Sequence, residues 1–93
     1  KLDDWNKKRV KIANIYTDIL KDTPVQLPII PDYAHPVWHL YVIRTERRDE
    51  LMKYLREQGI GVGVHYPIPC HRQPGLSGII DETTLPNTER FAK

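Results

Sequence analysis

Between Gly59 and Gln73 the chain reads GIGVGVHYPIPCHRQ, and few backbones accommodate that string. Gly59 follows a helical pattern and suits the left-handed residue that ends a helix, with Ile60 folding back on Leu55. Val62, Val64 and Tyr66 then alternate with Gly61, Gly63 and His65. A period of two predicts a short strand, the valines and Tyr66 on one face and the glycines and His65 on the other. Glycine inside a strand marks a place where another backbone or a ligand comes close. Pro67 and Pro69 end the ladder, because proline has no N–H to give and holds the residue before it extended. The stretch is therefore expected to close in a stiff loop that presents His65, Tyr66, His71 and Arg72. Two readings stand side by side: rings pre-positioned for a ligand, or half-buried packing residues with satisfied polar tips.

The rest of the chain supplies elements around this stretch. Leu2 to Lys21 reads as an amphipathic helix, with Leu2, Trp5, Ile12, Tyr16 and Ile19 or Leu20 at three- and four-residue steps. Lys7, Lys8, Arg9 and Lys11 form its solvated face; no aromatic residues interleave there to stack bases. Asp22 to Pro36 is a connector whose four prolines exclude long helix and central strand, though Val25 to Ile30 suits a short edge segment. His35 falls in this connector and is expected to be exposed. Val37 to Arg44, VWHLYVIR, is nearly continuous in apolar residues and reads as a strand covered on both faces. His39 inside it is expected to be a core histidine bonded to backbone, with a pocket formed with Trp38 and Tyr41 as the alternative. A second helix runs from Thr45 or Arg47 to Gln58 on the stripe Leu51, Met52 and Leu55, without a capping box, since Arg48 stands where glutamate is wanted. Pro74 to Leu85 reads as loop. Pro86 opens a final helix with Asn87, Glu89 and Arg90 as its polar face and Phe91 as its anchor.

The order is helix, strand, helix, strand, loop, helix. That predicts an α+β fold, a small and mainly antiparallel sheet with helices packed on it, in a single domain over residues 1–93. Two strands make no stable sheet alone, so a third is expected from Val25 to Ile30, from beyond Lys93, or from another chain. The chain begins and ends in helical sequence, which suggests a piece of a longer protein. With 14 basic against 12 acidic residues the charge demands no nucleic acid. The lone Cys70 excludes an internal disulfide and fits a reducing, cytoplasmic setting; no apolar run has membrane length.

Familiar chemistries fit poorly. His39, His65, Cys70 and His71 match no structural zinc spacing, so no metal is expected. Cys70 beside His71 suggests a nucleophile and base, but neighbours in extended chain point apart. The glycines of GIGVG follow a helix and precede a strand, the reverse of a dinucleotide loop. Asp81 and Glu82 are adjacent and read as solvated rather than as a paired acid and base.

The first helix, KLDDWNKKRVKIANIY, the block HPVWHLYVIRTERRDELMKYLREQGIGVGVHYPIPCHRQP and the closing LPNTERFAK together resemble the C-terminal small domain of the DegT/DnrJ/EryC1/StrS sugar aminotransferases. HLYVI, RDEL, GIGVGVHYPIP and HxQP in that order are specific, and the resemblance spans nearly the whole chain. It implies a homodimeric, pyridoxal-phosphate-dependent enzyme of the aspartate-aminotransferase fold, acting on a nucleotide sugar and an amino donor. His65 and Tyr66 stand where the family contacts the nucleotide sugar at the active-site mouth, and His71 joins them as a candidate substrate-binding residue. No catalytic or cofactor-binding residue is assigned to this stretch. The family's cofactor lysine belongs to the large domain, so the 93-residue piece by itself is expected to bind no pyridoxal phosphate and to be inactive. A relative that kept the fold for a regulatory or structural task is the alternative.

Overall fold

The computed structural model describes residues 1–80 and 83–92. Its elements in order are α1 (Leu2–Leu20), α2 (Arg48–Glu57), single 3-10 turns at Cys70–Arg72 and Pro74–Leu76, and α3 (Pro86–Ala92). The chain divides into two compact units, Lys1–Leu51 and Met52–Lys93, with α2 running across the division.

Among the described residues there is no strand and no sheet, so the expected α+β fold with an antiparallel sheet is overturned. What remains of it is one antiparallel bridge, in which Gln26 and Arg44 exchange both backbone bonds at 2.8 and 3.0 Å. A strand is a pairing and not only a conformation, and these extended segments find no ladder partner. Trp38, with φ of 54°, also breaks the run from Val37 to Arg44 where an uninterrupted strand was expected.

In the first unit, α1 starts with Asp3 and Asp4 in its first turn, where the helix dipole favours acids. Thr23 closes its last turn by donating from Oγ1 to the Leu20 carbonyl at 2.6 Å. The helix packs on a strip that takes in Leu20 of the apolar periodicity but is centred on Ala13, which that periodicity did not single out. Ala13 is 2% exposed and is the one buried apolar residue among those described. Asn6 and Leu20, seven residues to either side, are half-buried. Trp5, Ile12, Ile15 and Ile19 lie on an adjacent strip and are exposed. The packing strip meets the Trp38–Tyr41 segment. The Thr17 and Tyr41 hydroxyls are 2.8 Å apart, the Tyr16 and Tyr41 rings sit at 5.4 Å, and Trp38 and Tyr41 at 5.2 Å. Beyond Leu40 the chain keeps a period-two alternation: Tyr41, Ile43 and Thr45 are half-buried, Val42 and Arg44 exposed. One face of this segment is therefore uncovered, not both covered as expected. His39 is exposed, so the core-histidine reading falls too.

The helix that opens at Arg48 begins later than Thr45. The Thr45 hydroxyl accepts the Arg47 N–H, and the first helical bond runs from the Leu51 N–H to the Arg47 carbonyl at 3.0 Å. In the second unit its end is as the sequence predicts. The Ile60 N–H bonds the Leu55 carbonyl at 2.8 Å and the Gly59 N–H bonds Arg56 at 3.0 Å, the two bonds of a Schellman stop. Gly59 has φ of 76°, and a Cβ there would meet nothing within 4 Å, so backbone conformation alone demands glycine. Pro86 opens α3, as expected. Phe91 does not anchor it: the ring is 54% exposed beneath the Arg90 guanidinium. Glu89, expected on the polar face, is turned inward and half-buried. The expectation for Asp81 and Glu82 lies outside the described residues, as does Lys93.

Candidate functional site: the loop from His65 to Gln73

Val62 and Val64 are half-buried while Gly61, Gly63 and His65 are exposed, so the period-two reading places these faces correctly without a ladder. Tyr66 departs from it. Its side chain is not on the sheltered valine face but 74% exposed. The His65–Tyr66 peptide bond is cis. The two rings meet edge to face, with centroids 5.4 Å apart and planes at 68°. An imidazole and a phenol thus stand together in solvent, one able to donate or accept through either nitrogen, the other through its hydroxyl. Gly63 lies under the imidazole; a Cβ there would be 3.5 Å from His65 Cε1, an ordinary contact.

After Pro69 the backbone does not continue extended, as the pointing-apart argument for Cys70 and His71 assumed. It coils into the Cys70–Arg72 turn, closed by the Arg72 N–H on the Pro69 carbonyl at 2.9 Å. That coil separates Cys70 from its neighbour: the thiol is exposed and free, whereas His71 is only 8% exposed. The His71 Nε2 lies 2.9 Å from Oε1 of Glu89. An ionised carboxylate only accepts, so Nε2 carries the proton and donates. Arg72 Nη2 donates to the same oxygen at 3.1 Å, and the Leu85 N–H at 3.4 Å. The His71 bond, then the Arg72 bond, then the Leu85 N–H hold the Glu89 carboxyl far below the ordinary carboxylate range, at about 2. Gln73 also braces the loop, its Nε2 donating to the Ile68 carbonyl at 3.1 Å.

Of the three residues singled out from sequence, the structure brings His65 and Tyr66 together and turns His71 to Glu89. Glu89 and Gln73 were missed as parts of the site. The signal for Gln73 was its place in HxQP, two residues from His71. Glu89 gave only the local signal of an acid early in a helix, where the dipole already accounts for it.

Other candidate chemistry is sparse. Among the described residues no group of three or more His, Cys, Asp or Glu is placed to hold a metal ion. An open groove of about 580 Å³ in the first unit is lined by Gln26, Leu27, Pro28, Ile29, Val42 and Arg44 and contains no acid, thiol or imidazole. No helix among the described residues is long and apolar enough to cross a membrane.

Residues 1–93 match the sequence model of the DegT/DnrJ/EryC1/StrS aminotransferase family. The chain belongs to this family. It is 43% identical over 94 residues to the dTDP-3-amino-3,4,6-trideoxy-alpha-D-glucose transaminase of Streptomyces venezuelae, covering 99% of this chain and 25% of that enzyme. It is 41% identical over 96 residues to a pleiotropic regulatory protein of Geobacillus stearothermophilus, covering 99% and 26%. The crystal structure of S. venezuelae DesV in complex with a ketimine intermediate matches with a TM-score of 0.89 at 42% identity, over 97% of this chain and 25% of that one. The chain thus spans about a quarter of the length of these relatives.

Aminotransferase chemistry asks for a lysine that can bond pyridoxal phosphate, held where desolvation lowers its pKa. Lys1, Lys7, Lys8, Lys11, Lys21 and Lys53 are all exposed, on α1 and α2 or at the ends of α1. These residues do not fit the cofactor, and no step through it is assigned to them.

Proposed function

We propose that this chain is the substrate-side part of a pyridoxal-phosphate-dependent nucleotide-sugar aminotransferase, and that His65 and Tyr66 bind the nucleotide sugar. The observation that carries this is the pairing of two exposed polar rings on a loop whose following segment is braced by Gln73 and by Glu89. Rings exposed in edge contact, with donors and acceptors free to turn outward, suit the hydroxyls and phosphates of such a ligand. His71, expected at the sequence level to touch substrate, serves in this reading through its bond to Glu89. The names of the S. venezuelae and Aneurinibacillus thermoaerophilus relatives, both dTDP-amino-sugar transaminases, support the substrate class. The cofactor and its lysine are assigned to polypeptide other than these residues, and the working enzyme to a cytoplasmic homodimer that uses a separate amino donor.

The test is kinetic, in the complete protein. His65→Ala and Tyr66→Phe are each expected to raise KM for the nucleotide sugar by about 10- to 100-fold, the equivalent of one hydrogen bond to a charged or sugar group at about 1.5–3 kcal/mol. The thermal midpoint should move little, because both side chains are exposed. Unchanged kinetics in both variants would make them bystanders.

A second reading has its own support. Two relatives carry regulatory names, the G. stearothermophilus protein and the sensory transduction protein EryC1 of Saccharopolyspora erythraea, the latter 40% identical over 79 residues. In that reading the fold is kept and catalysis is not. Borohydride reduction of the complete protein separates the two: cofactor fixed to a lysine supports the enzyme, and its absence supports the regulator.

A further inference from the structure

We propose that Glu89 is the positioning residue of the ligand loop, fixing His71 and Arg72 so that residues 65–73 hold His65 and Tyr66 in one arrangement. The proposal rests on the nucleotide-sugar reading above. Three observations lead to it. His71 is the one polar residue buried among those described, and its ring nitrogen is committed to Glu89. Arg72, its neighbour in sequence, delivers a second bond to the same carboxylate oxygen. Consecutive side chains converge on one acceptor only because Cys70–Arg72 is a 3-10 turn; in extended chain they would diverge. The carboxylate therefore favours the coiled backbone of Cys70–Arg72 over an extended one.

The route from Glu89 to the rings is short. Pro69 accepts the Arg72 N–H, and Gln73 donates to the Ile68 carbonyl, so the turn that Glu89 holds grips the segment just after Tyr66. Pro67 and Pro69 stiffen what lies between. A helix cap alone would not need this arrangement. The Leu85 N–H is the longest of the three bonds at 3.4 Å, while the two to the loop are 2.9 and 3.1 Å.

The experiment uses the complete protein and a panel of dTDP- and UDP-linked amino hexoses, taking the one that binds most tightly. Glu89→Ala is expected to weaken its binding about tenfold, the effect of one hydrogen bond's worth of order. Amide exchange of residues 65–73 should speed up by a similar factor. Glu89→Gln keeps an acceptor oxygen at the same reach and should recover most of both. In a His65→Ala/Tyr66→Phe background, adding Glu89→Ala should change binding less than about twofold, because its effect passes through those rings. Faster exchange with unchanged binding would reduce Glu89 to a structural clamp and overturn the proposal. Weaker binding with unchanged exchange would place Glu89 against the ligand itself, and would overturn it equally. Failure of the unsubstituted protein to bind any of the panel, or indifference of binding to His65→Ala and Tyr66→Phe, removes the nucleotide-sugar reading and the proposal with it. Loss from the ring variants but not from Glu89→Ala removes the proposal alone.

Discussion

Among the described residues each unit of the chain has one buried residue, and the two could hardly differ more. Ala13 is buried by shape: a methyl group on a helix strip that meets the Trp38–Tyr41 segment, with a Thr17–Tyr41 hydroxyl bond and tilted rings beside it. His71 is buried by charge: an imidazole held by a carboxylate that also takes Arg72. Small apolar contacts tolerate any pH and punish added volume. A carboxylate clamp tolerates some change of volume and depends on its ionisation. The difference teaches where precision is kept. The first unit leaves Trp5, Ile12, Ile15 and Ile19 exposed and packs Ala13 among neutral contacts, its Arg47–Glu50 and Arg48–Asp49 pairs lying at the surface, while the second places a directional charged network behind the loop that carries His65 and Tyr66.

The largest effect should come from breaking the neutral side of that contrast. Ala13→Leu adds three carbons where nothing is open to solvent, and overpacking of this kind costs about 1–3 kcal/mol. The thermal midpoint of the complete protein should fall accordingly. An unchanged midpoint would mean the strip has slack and is not close-packed. Tyr41→Phe sharpens the same point more gently. It removes the 2.8 Å bond to Thr17 and keeps the ring stacking, so a loss of about 0.5–1.5 kcal/mol is expected. Because neither hydroxyl ionises in acid, the loss should be the same at neutral pH and near the acid end of the range. A loss confined to one of them would tie this contact to a charged group.

How far the sequence discloses this arrangement follows the range of each interaction. Gly59 is fully legible: its left-handed φ and the two bonds of the helix stop involve only residues from Leu55 to Ile60. Pro86 at the start of α3 is legible for the same local reason. Val62 to His65 is half legible. Alternation reports which side of an extended chain is sheltered, and it does so correctly here, but it cannot report whether another segment pairs with it. The expected sheet fails on that distinction. Tyr66 escapes the pattern just before Pro67, at the residue where regular alternation stops. The apolar stripe of α1 was read as its packing strip, yet the tight contact is at Ala13, because close approach selects a small side chain over a hydrophobic one. Glu89 was the least legible. Its partner is 18 residues upstream, and nothing in its surroundings separates a clamp from a surface acid.

The smallest effect, and the one that isolates the charged side of the contrast, lies in acid. Glu89 titrates at about 2 in the folded chain against an ordinary 4.5, first because of His71, then Arg72 and the Leu85 N–H. A depressed carboxylate binds fewer protons folded than unfolded, so stability rises with pH across that interval. The contribution is complete above about pH 4.5 and is lost as the pH falls through about 2. Glu89 is partly open to solvent, which screens the pair and keeps the effect modest. Glu89→Gln cannot ionise, so a plot of thermal midpoint against pH should lose that part of its acid limb and run parallel to the unsubstituted protein at neutral pH. Tyr41→Phe, measured alongside, should keep the acid limb whole. If both variants keep it, the acid sensitivity belongs to other carboxylates. If both lose it, the two units are not held by different physics, and the contrast between Ala13 and His71 is one of residue type alone.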